Sequence, residues 1–414
     1  MDKAKPFGIA KRDVWEAYKR VKANQGAAGV DGVSIADFEQ DLGNNLYRIW
    51  NRMSSGSYFP PAVRRVDVPK GEGRTRPLGI PTVSDRIAQT VVQRYLEPIL
   101  EPVFHKDSYG YRPGRSAHDA LAVARQRCWR HDWVLDLDVR SFFDEIDWEL
   151  LMRAVRHHTD CAWVLLYIDR WLRAPVCMPD GALENREKGS PQGSVVSPIL
   201  ANLFLHYTFD MWMQHQFPAC PFERYADDAI IHCDSENQAR QLLDMLQQRF
   251  AECKLELSPQ KTKIVYCKDA NRPGNYPEQN FDFLGHTFRP RGAMNRSGKM
   301  FVSFIPAVSA RATKAMQWVL RQWKFSHRGD LALEELVRWL QPIVRGWVNY
   351  YGRFNPSALY RALSMVDELL VRWARRKYKG FKKRSMRAWD WLKRLKSRQP
   401  NLLPHWRLVA AVGR

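Results

Sequence analysis

The sequence predicts an α+β fold with a helical, basic final third, on three observations. Strand-like and helix-like segments alternate irregularly as far as residue 288, with no Rossmann rhythm, no G-x-G-x-x-G and no P-loop. From residue 307 onward the apolar spacing is almost wholly helical. The charge is also partitioned: residues 286–414 hold 28 Lys/Arg against 6 Asp/Glu, a net of +22, whereas residues 1–285 hold 37 against 38. A chain of 414 residues, 45% hydrophobic, exceeds one ordinary domain and can bury a core, which excludes wholesale disorder.

Taken in order, residues 10–54 read as helix, loop, helix, the loop being Asn24-Gln-Gly-Ala-Ala-Gly-Val-Asp-Gly32. Residues 62–82 read as extended, around the basic tight turn Lys70-Gly-Glu-Gly-Arg-Thr-Arg-Pro77. Amphipathic helices are predicted over 84–104 and 116–130, separated by the Gly/Pro-rich Ser108-Tyr-Gly-Tyr-Arg-Pro-Gly-Arg115. Trp133–Val139 alternates as a strand and leads through Phe142 and Phe143 to a helix over 147–158. Lys188–Ser194 is a loop and Pro198–Gln214 one apolar helix. Phe222–Cys233 reads strand–turn–strand around Tyr225-Ala226-Asp227-Asp228, and 236–254 as helix. Ile264–Tyr266 and Phe281–Phe288 read as strands.

The net charge of +21 points to a polyanionic partner, and the basic third carries 8 of the 16 tryptophans. Interleaved cations and indoles suit a folded surface that grips a phosphate backbone. Seven cysteines show no C-x-x-C spacing, so reduced thiols in a cytoplasmic protein are expected. The N-terminus lacks an apolar signal region, and the longest uncharged stretch, Gly189–Phe209, contains Pro191, Gln192, Pro198 and Asn202; no membrane span is expected.

Asp227 and Asp228 are adjacent acids at a predicted hairpin turn, where both carboxylates can converge. Their mutual repulsion is relieved by a divalent cation, and three carboxylates on neighbouring strands suit Mg²⁺, which prefers hard oxygen ligands. The third acid would come from the 133–139 strand. Asp136 and Asp138 share one face there, so the pattern alone leaves both open.

Asp138-Val-Arg-Ser-Phe-Phe143-Asp, Ser190-Pro-Gln-Gly193 and Tyr225-Ala-Asp-Asp228, in that order, resemble motifs A, B and C of reverse transcriptases. Further matches resemble the branch encoded by group II introns. Gly26 to Gly32 is similar to its N-terminal extension loop. Arg76-Pro-Leu-Gly-Ile-Pro81 with Ser84-Asp-Arg86, and Gly110-Tyr-Arg-Pro-Gly-Arg115, are similar to its fingers motifs. Leu257-Ser-Pro-Gln-Lys-Thr262 resembles motif D, Phe283-Leu-Gly285 the primer-grip hairpin, and Gly346-Trp-Val-Asn-Tyr-Tyr351 the thumb signature, called domain X or the maturase domain.

The resemblance implies a right-hand polymerase: an N-terminal extension and start of fingers over 1–60, fingers over 61–130, an interleaved palm over 131–290, a helical thumb over 291–375, and a basic nucleic-acid-binding segment over 376–414. Asp138, Asp227 and Asp228, with the Val139 carbonyl, would hold two Mg²⁺ ions, for which Mn²⁺ could substitute. The family's aromatic steric gate stands five residues after its first aspartate, which selects Phe143 and settles Asp138 over Asp136; Phe142 is then core. Lys70, Arg76 and Gln192 would bind the dNTP. Lys261, with Lys263 as a competitor, would protonate pyrophosphate. Arg112, Arg115, Tyr225, Leu284, Gly285, Arg345, Trp347, Arg375, Arg376 and Lys377 would meet nucleic acid.

The implied partners are an RNA template, a DNA or RNA primer, dNTP and intron RNA; the oligomeric state is left open. A splicing cofactor with incidental polymerase activity and a domesticated repair or defence polymerase share the same motifs. No cysteine follows Cys267, so the His–Asn–His endonuclease of many relatives, with its cysteine pairs, is not expected.

Overall fold

The protein was analysed as a computed structural model, which describes residues 5–71, 74–295, 297–324, 328–382 and 384–410. The side chains of Lys70, Arg74, Val409 and Ala410 lie outside that description. The chain begins with α1 (Lys11–Asn24), α2 (Ile35–Glu39), α3 (Leu42–Ser54), β1 (Val63–Gly71), β2 (Arg74–Ile80), α4 (Val83–Leu100) and α5 (Ala117–Cys128). There follow β3 (Trp133–Leu137), α6 (Phe142–Glu145), α7 (Trp148–His158), α8 (Ala162–Arg173), β4 (Val176–Cys177), β5 (Leu183–Glu184), α9 (Ser197–Leu205) and α10 (Met211–Gln216). Next come β6 (Phe222–Tyr225), β7 (Asp228–Cys233), α11 (Glu236–Glu252), β8 (Lys263–Tyr266), β9 (Phe281–Phe283), β10 (His286–Met294) and β11 (Met300–Val308). The chain closes with α12 (Ala310–Gln322), α13 (Leu333–Tyr351), α14 (Pro356–Lys377), α15 (Ser385–Arg398) and α16 (Arg407–Ala410). The class is α+β, in two compact units: Met1–Ala120 with Leu135–Thr262, and Leu121–Val134 with Lys263–Arg414.

In the first unit α4 is the buried axis. It is capped by Thr82, whose side chain accepts from the Asp85 amide, and is buried almost continuously from Val83 to Val92. α1 packs on it through Val14, Ala17, Tyr18 and Val21, the i, i+3, i+4, i+7 stripe of an amphipathic helix. Arg86 on α4 donates to the carbonyls of Gln25 and Ala27 and so ties down the glycine-rich loop between α1 and α2. β2, β1, β4 and β5 form one sheet, with β1 and β2 an antiparallel hairpin. β6 and β7 form a second hairpin, and β7 lies beside β3.

The predicted single helix over Pro198–Gln214 is interrupted. A π-helical turn at His206–Asp210 separates α9 from α10 and places Asp210 in the interior. α8 is an element that the sequence reading leaves out; its buried Val164, Tyr167, Ile168, Trp171 and Leu172 line one helical face.

The second unit corrects two boundaries. The segment 291–308 is not helical. It belongs to the antiparallel sheet β9–β10–β11, in which His286–Met294 pairs residue for residue with Val308–Met300. Nor do the described residues of 376–414 form a segment separate from the helices before them: Arg376 and Lys377 end α14. Ala388, Leu392, Leu403 and Trp406 are buried in the same core as Leu336, Leu340 and Val344 of α13 and Leu363, Leu370 and Trp373 of α14. Buried Asp367 fastens it further, accepting from Lys396 Nζ (2.6 Å) and Trp406 Nε1 (2.8 Å) and pairing with His405 (3.2 Å). All seven cysteines are free, five of them buried. Among the described residues no helix is long and apolar enough to cross a membrane.

Candidate active site

The adjacent acids sit where a two-residue loop closes the β6–β7 hairpin: Tyr225 pairs with Asp228, and Ala226 adopts the left-handed conformation at φ 58°. Asp227 is half-buried and Asp228 exposed. Beneath them Arg224, 1% exposed, makes two bonds to Asp210 (2.6 and 2.7 Å) and donates to Asn202 Oδ1 and the Ala226 carbonyl, both at 3.0 Å. Burial, the largest single influence, would raise the Asp210 carboxyl, but the charge and hydrogen bonds of Arg224, with those of His206, together hold it below the ordinary aspartate value. The guanidinium thus fixes the turn from inside.

The 107–110 segment locks the same turn from its edge. Arg224 and Tyr109 exchange backbone bonds with this segment and strand β6, at 2.9 Å to the Asp107 carbonyl and 2.8 Å from the Tyr109 amide. Asn202 Nδ2 donates to the Gly110 carbonyl at 2.7 Å. A Cβ on Gly110 would lie 2.4 Å from the Ala226 nitrogen, so the approach requires glycine. Sequence reasoning missed Arg224, Asp210 and Asn202 as site-building residues. The available signal was Asn202 and Asp210, polar side chains inside a mostly apolar helical run.

Asp138 is the first residue beyond β3, the strand beside β7. Its carbonyl accepts from the Ser258 amide at 2.8 Å, and Val139 bridges to Leu257, which ties motif-A and motif-D segments together. Lys261 reaches the Asp138 carboxylate at 2.9 and 3.2 Å. Lys263, the competing candidate, pairs instead with Glu278 within the second unit. Among the described residues no group of three or more His, Cys, Asp or Glu is gathered closely enough to enclose a metal. All three aspartates are carboxylates, the donor type a hard divalent cation takes; Asp228 begins β7, Asp227 lies in the hairpin loop and Asp138 follows β3, the strand next to β7.

The Pro191-Gln192-Gly193 loop and the β1–β2 hairpin converge. Arg76 Nε donates to Gln192 Oε1 at 2.5 Å, and the Gly79 amide donates to the Gln192 carbonyl at 2.6 Å. Gly193 at φ 105° passes so close that a Cβ would lie 2.4 Å from the Gly79 oxygen. From α4, Gln89 Oε1 accepts from Ser194 Oγ (2.6 Å) and the Val195 amide (2.7 Å), while its amide group donates to Asp85 (2.9 Å). Asp85 also accepts from Tyr58 (2.9 Å) and Trp171 (2.7 Å), yet burial pushes its carboxyl up to about 6. Tyr111 is raised by burial, opposed by Arg76 and reinforced by Asp227, Tyr225 and Asp228; its ring lies within electrostatic reach of both acids.

Phe143 is 6% exposed on α6, and its carbonyl accepts from the Ser190 amide at 2.7 Å. Phe142, 2% exposed, packs against Phe204 as a core residue. The side chain of Lys70 lies outside the described residues.

The expected nucleic-acid contacts divide. Arg112 is a correction: it is buried, grips Glu101 through three bonds of 2.7–3.1 Å and donates to the His105 and Ser108 carbonyls, so it braces the chain instead of facing a ligand. Arg115 is exposed. Tyr225 is half-buried, with its ring 6.4 Å from that of Tyr111. In the second unit Leu284 and Gly285 form the tight β9–β10 turn, and the Leu284 carbonyl is taken by Tyr350 (3.0 Å). Arg345 and Arg376 are exposed and Arg375 is half-buried. Trp347 packs on the helical core, and Lys377 donates to the Leu331 carbonyl at 2.6 Å; both serve the fold, again against expectation.

Residues 68–288 match the family described as reverse transcriptase (RNA-dependent DNA polymerase), and residues 313–391 match the group II intron, maturase-specific domain. The chain is 31% identical over 366 residues to Protein YkfC of Escherichia coli strain K12, spanning 77% of this chain and 90% of that protein. It is 28% identical over 426 residues to Group II intron-encoded protein LtrA of Lactococcus lactis subsp. cremoris, spanning 81% of this chain and 68% of that protein. With its paired acids on a clamped hairpin turn and both family domains in order, the chain belongs to the group II intron-encoded reverse transcriptases, RNA-directed DNA polymerases that carry a maturase domain.

Proposed function

We propose that the first unit supplies the fingers and palm of a right-hand polymerase and the helices of the second its thumb. The primer 3′-OH attacks the α-phosphate of a dNTP on an RNA or DNA template and releases pyrophosphate. Asp138, Asp227, Asp228 and the Val139 carbonyl are the groups that would hold two Mg²⁺ ions, which when bound stabilise charge on the attacking and leaving oxygens. Catalysis is otherwise positioning and electrostatics.

Arg76 and Gln192 act as one unit, the amide orienting the guanidinium that neutralises the triphosphate, and Lys70 on the same hairpin assists. Phe143 stands against the ribose 2′ position and selects deoxynucleotides. Lys261 pairs with the Asp138 carboxylate and in this reading passes a proton to pyrophosphate. The exposed cations Arg115, Arg345 and Arg376 meet template, primer and intron RNA, and the second unit supports splicing. The combination of polymerase and maturase domains supports both roles in one chain over an incidental or repurposed polymerase.

The observation that carries this reading is the Arg224 clamp, a fully buried charge whose evident use is to hold the Asp227–Asp228 turn. Primer extension on an RNA template with dNTPs and Mg²⁺ tests it. Asp227→Ala should lower the rate by at least about a hundredfold, the scale of losing a group that stabilises transition-state charge, while RNA binding and splicing support persist. Unchanged extension would reject the site. In the same assay Phe143→Ala should admit ribonucleotides.

A further inference from the structure

Within the second unit, three arginines meet without a carboxylate. Arg289 and Arg291 lie two apart on β10 and so share a face, and Arg361 comes from the first turns of α14. Together with Asn355 and Ser357 they line a cavity of about 310 Å³. Arg291 is half-buried, its guanidinium steadied by the carbonyls of Thr287 (3.3 Å) and Ile305 (3.4 Å). Burial, then the charges of Arg289 and Arg361, push it down to about 10, so it keeps its charge at neutral pH. Concentrating three like charges is unfavourable unless an anion joins them.

A second cavity of about 320 Å³, between α12 and α14, shares Arg361 with the first. Its lining includes the apolar Leu320, Met365 and Leu369, with Arg321 and Arg372 beside them; Arg372 is engaged by Glu368 at 3.2 Å. A free phosphate ion needs only the first cavity. A nucleotide in a strand needs both: an anion pocket, and a neighbouring groove with apolar surface for sugar and base.

We propose that the Arg289–Arg291–Arg361 cavity is a backbone-phosphate site for a nucleic-acid strand, with the adjoining nucleotide lying in the α12–α14 groove. This rests on the RNA-binding part of the proposed function and locates one point of grip. Serine and asparagine donors fit the same phosphate oxygens, so the site fixes the strand's register without reading its sequence.

The test is equilibrium binding of a labelled single-stranded RNA oligonucleotide to the full chain across a salt series. Wild type should bind with log affinity falling linearly in log salt; no binding at all would sink the RNA-binding reading itself. The Arg289→Gln/Arg361→Gln chain, with an unchanged melting temperature, should bind about tenfold more weakly at ~0.1 M salt. Its slope should be shallower by about 0.7, the value for one lost phosphate contact on a single strand. Wild-type affinity and slope in that variant would overturn the site while leaving RNA binding intact.

A second measurement needs no variant. Arginine modification by phenylglyoxal, mapped by mass spectrometry on the wild-type chain, should be blocked at Arg289 and Arg361 by the RNA and not by the same concentration of inorganic phosphate or pyrophosphate. Protection by the free anions with none from RNA would assign the cavity to a small anion and overturn the strand proposal.

Discussion

At Asp85 a carboxylate accepts bonds from Tyr58, Trp171 and Gln89 and still titrates near pH 6, because complete burial outweighs the three donors. A carboxyl raised in the folded state favours folding while protonated. That contribution is fully present below the unfolded value near 4 and is lost as pH rises through about 6; about two units correspond to about 3 kcal/mol. Denaturant unfolding across this window should therefore show wild type losing stability relative to Asp85→Asn, and parallel curves would contradict the argument. The same residue shows what a sequence conceals. Asp138, Asp227, Asp228, Phe143 and Gln192 lie in short ordered motifs that a sequence displays. Arg112 was misassigned because nothing in Gly110–Arg115 reveals that Glu101 lies within reach.

At the scale of elements, the β6–β7 hairpin was legible because apolar runs flank two acids, whereas the devices that hold it came from elsewhere. Gly110 reads as a loop glycine, but it is the point where another segment presses on the Ala226 nitrogen. Gly110→Ala should displace the turn and lower primer extension by more than tenfold with little change in RNA binding; full extension activity would show that the contact does not position the acids. The second unit's hairpin was harder to read. Leu284 occupies a left-handed position normally given to Gly or Asn, and Pro290 and Pro306 stand in paired strands where proline is uncommon. The π-turn at His206–Asp210 has no sequence pattern of its own; within it Asp210 pairs with Arg224, a partner 14 residues away that local periodicity does not reveal.

Over the whole molecule, charge is partitioned between a near-neutral 1–285 and a basic 286–414, but charge alone does not separate a tail from a core. Residues 376–414 read as a separate basic segment because their cations outnumber Leu392, Leu403 and Trp406. Their burial among α13 and α14, with His405, Trp406 and Lys396 on Asp367, makes them part of the fold. Removing 376–414 should therefore expose the apolar core of α13 and α14 and take away the Lys396, His405 and Trp406 partners of Asp367. Thermal unfolding of the truncated chain should show a lowered or missing transition, so any change in its RNA binding would report collapse. The exposed cations Arg384, Arg387, Lys393 and Arg394 can be tested without that confusion. Changing all four to Gln should keep the wild-type melting temperature and flatten the salt dependence of RNA binding, by up to about one unit for each cation that meets a phosphate. An unaltered slope in this folded variant would place the RNA on another face of the second unit.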